Sequence, residues 1–113
     1  MPKIFVDVNL SHPEFTGYLT KRSAWLKTWR RRYFILKGDK LYFAKSKDVR
    51  SVFVPPHGMI DLSKCQTVKS ADDKTKKKYS LEVTTMNETY YMYANSEKER
   101  DEWIGAIGRY FWD

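Results

Sequence analysis

Trp29-Arg30-Arg31-Arg32-Tyr33-Phe34-Ile35-Leu36-Lys37 reads as a β-strand, because aromatic and β-branched side chains suit a pleated, half-buried surface. Side chains alternate across a strand. One face therefore carries Arg30, Arg32, Phe34 and Leu36, and the other Trp29, Arg31, Tyr33 and Ile35. If Phe34 and Leu36 enter a core, Arg30 and Arg32 share their face nearer the strand's start. Guanidinium groups cannot be buried there without partners. The simplest arrangement puts them at the open end of a barrel, facing an anion. The competing arrangement is cross-strand pairing with Asp or Glu. It is disfavoured because residues 19–50 hold eleven Lys and Arg against two acids, whereas the rest of the chain holds ten against twelve.

Upstream, Leu19 and Lys21 repeat the device: a core leucine, then a cation on the same face at the strand's end. A hairpin of the two strands brings Lys21, Arg30 and Arg32 together beside the loop at 22–28, where Arg22 and Lys27 add further charge. Trp25 and Leu26 lie in that loop. Two readings of them stay open. Exposed, they enter a lipid interface while neighbouring cations touch headgroups; folded back, Trp25 covers the barrel mouth.

Downstream, Gly38-Asp39 is a turn and residues 40–44 a further strand. A mostly polar loop at 45–57 closes on Pro55-Pro56-His57. Residues 58–62 and 67–69 read as short strands, 71–78 as a charged loop, and 79–85 with 89–94 as a hairpin around Met86-Asn87-Glu88. The period then changes. Ser96-Glu97-Lys98-Glu99 has the form of a capping box, and Trp103, Ile107, Tyr110 and Phe111 share one helical face, with Arg109 near the end. The pattern predicts a mainly β (α+β) fold: a seven-stranded antiparallel open barrel or sandwich of two sheets, capped by one C-terminal α-helix. Residues 1–15 form an N-terminal lead-in and 16–112 the domain.

With 113 residues there is room for one core, and eighteen aromatic residues supply large area to bury in it. Cys65 is the only cysteine, so no intrachain disulfide forms and no thiolate metal site has its spacing; the two histidines, His12 and His57, are far apart. There is no Gly-rich phosphate loop and no nucleophile motif. The expectation is a non-enzyme without cofactor or metal. No apolar run is long enough to span a bilayer. The N-terminus lacks a signal-peptide pattern, and Pro2 stands where N-myristoylation needs glycine. Cytoplasmic location with peripheral membrane association follows as the expectation. The net charge of +7 calls for an anionic partner. Nucleic acid ranks third among the readings, because base stacking needs aromatics exposed on the basic surface. The Lys74, Lys76, Lys77 and Lys78 cluster is read as a solvated loop rather than a second lipid site.

Gly17-x-Leu19-x-Lys21, the stretch from Trp29 to Leu36, Leu41-Tyr42-Phe43 and a C-terminal helix bearing Trp103 resemble the pleckstrin-homology pattern over about residues 16–111. Asn87-Glu88-Thr89 and Ser96-Glu97-Lys98-Glu99 through Trp103-Ile104 are similar to small plant-type members that consist of little but this domain. The resemblance implies a module that binds phosphoinositide lipids and an anionic membrane surface, with Lys21, Lys27, Arg30, Arg32, Arg22 and His57 on the headgroup and Trp25 and Leu26 on the membrane. A protein- or peptide-binding adaptor of the same scaffold, with a protein partner and only nonspecific lipid affinity, is the alternative. Two positions depart from strong 3-phosphoinositide binders: Phe43 replaces a tyrosine, and His57 replaces a cation. His57 would add charge only when protonated, so binding would tighten in mild acid.

Overall fold

The computed structural model describes residues 10–23, 25–47 and 58–109. The expectations for His57, Tyr110 and Phe111 lie outside the described residues. Seven strands appear in the order β1 (Phe15–Arg22), β2 (Trp29–Lys37), β3 (Lys40–Ala44), β4 (Met59–Asp61), β5 (Cys65–Ser70), β6 (Ser80–Thr85) and β7 (Thr89–Tyr93). A 3-10 turn, Leu62–Lys64, follows β4. Helix α1 (Asp72–Thr75) lies between β5 and β6, and α2 (Glu97–Gly108) closes the described chain.

All strand pairs are antiparallel, and the spatial order is β4-β3-β2-β1-β7-β6-β5. The expectation of two sheets is corrected: there is one continuous sheet. The reason is β1, which pairs with β2 along its whole length and with β7 through Thr20↔Tyr93 and Lys21↔Met92. Those two residue pairs are the splice between two halves whose inner faces share one core. β1 also starts at Phe15 rather than Gly17, because Phe15 pairs with Leu36 and its ring meets Trp103 edge-on at 4.6 Å.

The core takes every second residue of each strand, as the pleat requires. It comprises Leu19, Phe34, Leu36, Leu41, Ile60, Val68, Leu81, Val83 and Met92, with Trp103, Ala106 and Ile107 from α2. Gly38 takes φ +61°, which its two-residue hairpin turn needs. Its N–H donates to the Glu14 carboxylate at 3.1–3.2 Å.

Helix α2 begins at the expected serine. Ser96 Oγ accepts from the Glu99 N–H at 3.1 Å. The returning Glu99 Oε2 reaches the Asn95 N–H, 3.4 Å away, one residue before the cap. Trp103 then lies 2% exposed against Phe15 and Phe34. A methyl group on Gly17 would touch its ring at 3.5 Å, so β1 passes close under the indole.

The loop expected at 71–78 contains α1. Asp72 organises it: Oδ1 accepts from the Ser80 N–H at 2.9 Å and Oδ2 from the Tyr79 N–H at 3.3 Å. Burial works against its charge, but these N–H groups hold its carboxyl below the usual range. Lys74 projects from this turn to Glu82, a buried carboxylate on β6, with Nζ 3.0 Å from Oε1. One member of the lysine cluster thus has a structural task that its charge run did not reveal.

Two predictions follow from this packing. Trp103→Ala removes the largest ring on α2 from a filled core and should cost about 3–5 kcal/mol, read as a loss of denaturant midpoint; an unchanged midpoint contradicts the helix packing. Asp61 accepts from Ser63 Oγ at 2.6 Å, from Lys40 Nζ at 2.9 Å and from the Ser63 N–H at 3.0 Å. These contacts lower its pKa from 3.8 to about 2. A depressed folded pKa stabilises above the unfolded value and is lost as pH falls through the folded one. Acid titration should therefore erode stability between those two values, and Asp61→Asn should flatten that part of the curve.

Candidate functional site

The register of the β1–β2 hairpin places Lys21 opposite Arg30 and Leu19 opposite Arg32. All four share the face that carries Phe34 and Leu36. Along this face burial ends abruptly: Phe34 is fully buried, Arg32 half-buried and Arg30 exposed. The cations expected to gather at the open end are on one face of one hairpin. Among the described residues, no carboxylate pairs with Arg30 or Arg32. Arg32 Nη1 instead donates to the Arg31 carbonyl at 2.9 Å.

Lys21 is the most enclosed of them. Its ammonium lies 5.2 Å from the Phe43 ring centre and 5.5 Å from that of Tyr90, and Nζ donates to the Arg22 carbonyl at 3.3 Å. Burial pushes its pKa below the usual lysine value; Glu88 opposes this shift and Arg32 adds to it. Phe43 thus supplies a ring face for the cation and packs on Phe34 at 5.3 Å.

Beside Lys21 opens a cavity of about 170 Å³, lined by Lys21, Arg22, Lys27, Glu88, Tyr90 and Tyr91 among others. It faces β7, so Arg30 and Arg32 stand outside its lining, across Lys21. Arg22 contributes to the cavity wall, but its guanidinium rests on the Tyr91 ring at 4.5 Å. Register puts it on the opposite face from Lys21, with Trp29 as its partner. The expected cluster is therefore divided: Lys21, Lys27 and Arg22 line the cavity, Arg22 with its guanidinium on Tyr91, and Arg30 and Arg32 extend the basic face outside it.

The loop after β1 is a tight one. Ser23 N–H donates to the Thr28 carbonyl at 2.8 Å, and Lys27 N–H to the Ser23 carbonyl at 3.1 Å. Lys27 closes it with φ 52°. At its tip Trp25 is 89% exposed and Leu26 61%. Of the two readings left open by the sequence, the folded-back tryptophan is ruled out in this conformation.

Sequence reasoning overlooked Glu88 and Tyr90 as lining residues. Glu88 stands in the β6–β7 turn, read only as hairpin chemistry, and accepts from the Tyr90 hydroxyl at 3.0 Å. Burial and that carboxylate push the Tyr90 pKa up to about 12. Tyr90 has the parity of Met92, which pairs with Lys21; that pairing is long-range and left no signal in the sequence.

Comparison with known proteins places this geometry in context. The PH domain family model matches residues 13–110. The chain is 41% identical over 100 residues to pleckstrin homology domain-containing protein 1 of Arabidopsis thaliana, covering 88% of this chain and 69% of that protein. It is 38% identical over 111 residues to a PH domain-containing protein of Dictyostelium discoideum, covering 96% of this chain but 23% of that one. Among solved structures, the C-terminal PH domain of pleckstrin in complex with D-myo-Ins(1,2,3,4,5)P5 superposes with a TM-score of 0.70 at 30% identity, covering 86% of this chain and 96% of that one.

Because Trp25 and Leu26 touch little of the fold, Trp25→Ala/Leu26→Ala should leave the melting temperature nearly unchanged, each change costing within about 0.5 kcal/mol. A large drop in a thermal melt would show that the loop tip packs on the domain.

Proposed function

The chain belongs to the PH domain family, and from that membership we propose that it is a phosphoinositide headgroup-binding module that docks the protein carrying it onto membranes. The PH domain is a non-catalytic module, which agrees with the absence of any catalytic motif in the sequence. The observation that carries the reading is the basic face of the β1–β2 hairpin. Lys21, Arg30 and Arg32 continue the core face past its last buried ring, and the two arginines have no carboxylate partner among the described residues. A multiply phosphorylated headgroup supplies the missing counter-charge. Arginine meets phosphate as a planar fork and lysine as a mobile point charge. The relative bound to D-myo-Ins(1,2,3,4,5)P5 supports the same ligand chemistry.

Membrane geometry agrees with this reading. Trp25 and Leu26 project from the loop next to Lys27, so an apolar tip and a cation meet the bilayer together. Tryptophan suits the interface, and each nearby cation adds about 1 kcal/mol on an anionic leaflet. Among the described residues no helix is long and apolar enough to cross a membrane.

Liposome co-sedimentation at near-physiological salt tests the proposal, with phosphatidylserine and phosphatidic acid vesicles as charge controls. One or more phosphoinositides should pellet the protein beyond the controls. Arg30→Ala/Arg32→Ala should weaken that binding by about tenfold or more, since charge-assisted hydrogen bonds are worth about 1.5–3 kcal/mol each, while the melting curve holds. Equal pelleting with every anionic lipid, or none, rejects the headgroup reading in favour of a protein-binding adaptor.

A further inference from the structure

Among the described residues, Glu88 is the one acid lining the cavity beside Lys21. An anion site gains nothing from it by charge: a carboxylate facing a bound phosphate repels it. Yet Glu88 is held in place from two directions. Its backbone is fixed by Thr85, whose N–H donates to the Glu88 carbonyl at 2.9 Å. Thr85 Oγ1 accepts from the Asn87 and Glu88 N–H groups, both at 3.2 Å, and donates to the Glu88 carbonyl at 3.1 Å. Thr85 is itself buried. The carboxylate is fixed by the Tyr90 hydroxyl, which donates to Oε1 at 3.0 Å. Tyr90 also lays its ring beside the Lys21 ammonium. Glu88 itself is exposed, so the result is a hydrogen-bonded acceptor near the Lys21 ammonium, at the open wall of one cavity.

An ionised carboxylate accepts hydrogen bonds and cannot donate them. The Tyr90 bond uses part of the acceptor capacity of Oε1, and no donor among the described residues reaches Oε2. Because Glu88 is exposed, water meets the remaining capacity, and a ligand hydroxyl, being a donor, can take that water's place. A phosphate monoester carries about −1.5 to −2 charge near neutrality and meets it with like-charge repulsion. We propose that Glu88 makes this cavity selective for a phosphorylated polyol that keeps a free hydroxyl beside its phosphate, and sets it against polyols phosphorylated at the neighbouring positions too. Lys21 reads the phosphate, Glu88 reads the adjacent hydroxyl, and Tyr90 is the positioning residue that aims the carboxylate. Specificity here comes from a repulsive element as much as an attractive one. The inference rests on the headgroup reading above and deepens it.

The test is titration calorimetry of the wild type, Glu88→Gln and Tyr90→Phe against soluble inositol phosphates carrying from two to five phosphates. The same series is run on vesicles bearing the corresponding phosphoinositides. Glu88→Gln removes the charge but keeps the size and an oxygen for Tyr90. It should strengthen binding of the more phosphorylated ligands by about tenfold relative to the less phosphorylated ones, a change of about 1.4 kcal/mol in discrimination. Tyr90→Phe leaves the charge in place but frees the carboxylate, and should narrow the same ratio without raising affinity for every ligand. A uniform gain across the series, or an unchanged ratio in Glu88→Gln, overturns the proposal, because Glu88 would then act only as bulk charge. Melting curves of both variants separate these outcomes from misfolding. A wild type that binds neither soluble nor vesicle-borne headgroups overturns the headgroup reading itself. A ratio that shifts with soluble ligands and not on vesicles identifies a free inositol phosphate, rather than a lipid, as the ligand.

Discussion

Along the inner face of β2, apolar side chains give way to guanidinium groups within two residues, from Phe34 at 0% exposure to Arg32 and then Arg30. A pleated strand cannot turn alternate side chains to another face without a bulge, and β2 pairs with β1 in unbroken register. The two arginines are therefore tied to the core face whatever they cost there. The fold accommodates them only by stopping the core at Phe34 and leaving that end of the barrel open. α2 covers the core at Trp103, which packs on Phe15 and Phe34. The open basic end is a consequence of the same strand that supplies the core.

Holding like charges together needs compensation. Part of it comes from aromatic faces: Lys21 between Phe43 and Tyr90, Arg22 on Tyr91, and Arg31 on Tyr18 at 4.0 Å. Such contacts are worth about 0.5–2 kcal/mol, with the larger values where water is excluded. They leave the cation's hydrogen-bond donors available, which an ion pair would not. Burial lowers the Lys21 pKa, and Glu88 opposes that shift in part.

The turns that carry Trp25, Leu26 and Glu88 are held by short-range polar networks. Ser23 and Thr28 close the loop that presents Trp25 and Leu26. Thr85 closes the turn that presents Glu88. Both turns sit at the same end of the sheet, because β7 runs antiparallel to β1 beyond Lys21↔Met92. Ordering such loops from a mobile state would cost about 1–2 kcal/mol of backbone entropy per residue.

How much of this was legible without the structure depended on the range of the interaction. The strand parity of Trp29–Lys37, the Ser96 cap, the Trp103 face and the grouping of Lys21, Arg30 and Arg32 are set by local geometry with periods of 2 or 3.6 residues, and these the amino-acid sequence by itself determined. The joining of two expected sheets into one, the start of β1 at Phe15 and the α1 turn built on Asp72 arise from contacts between distant segments, which leave no periodic trace. The exposure of Trp25 likewise depends on what surrounds the loop. Tertiary structure alone placed Glu88 and Tyr90 beside Lys21, because that neighbourhood exists only after β1 and β7, separated by more than sixty residues, pair through two residues each. A carboxylate in a hairpin turn is ordinary in sequence; its place beside Lys21 comes from the strand that folds next to it.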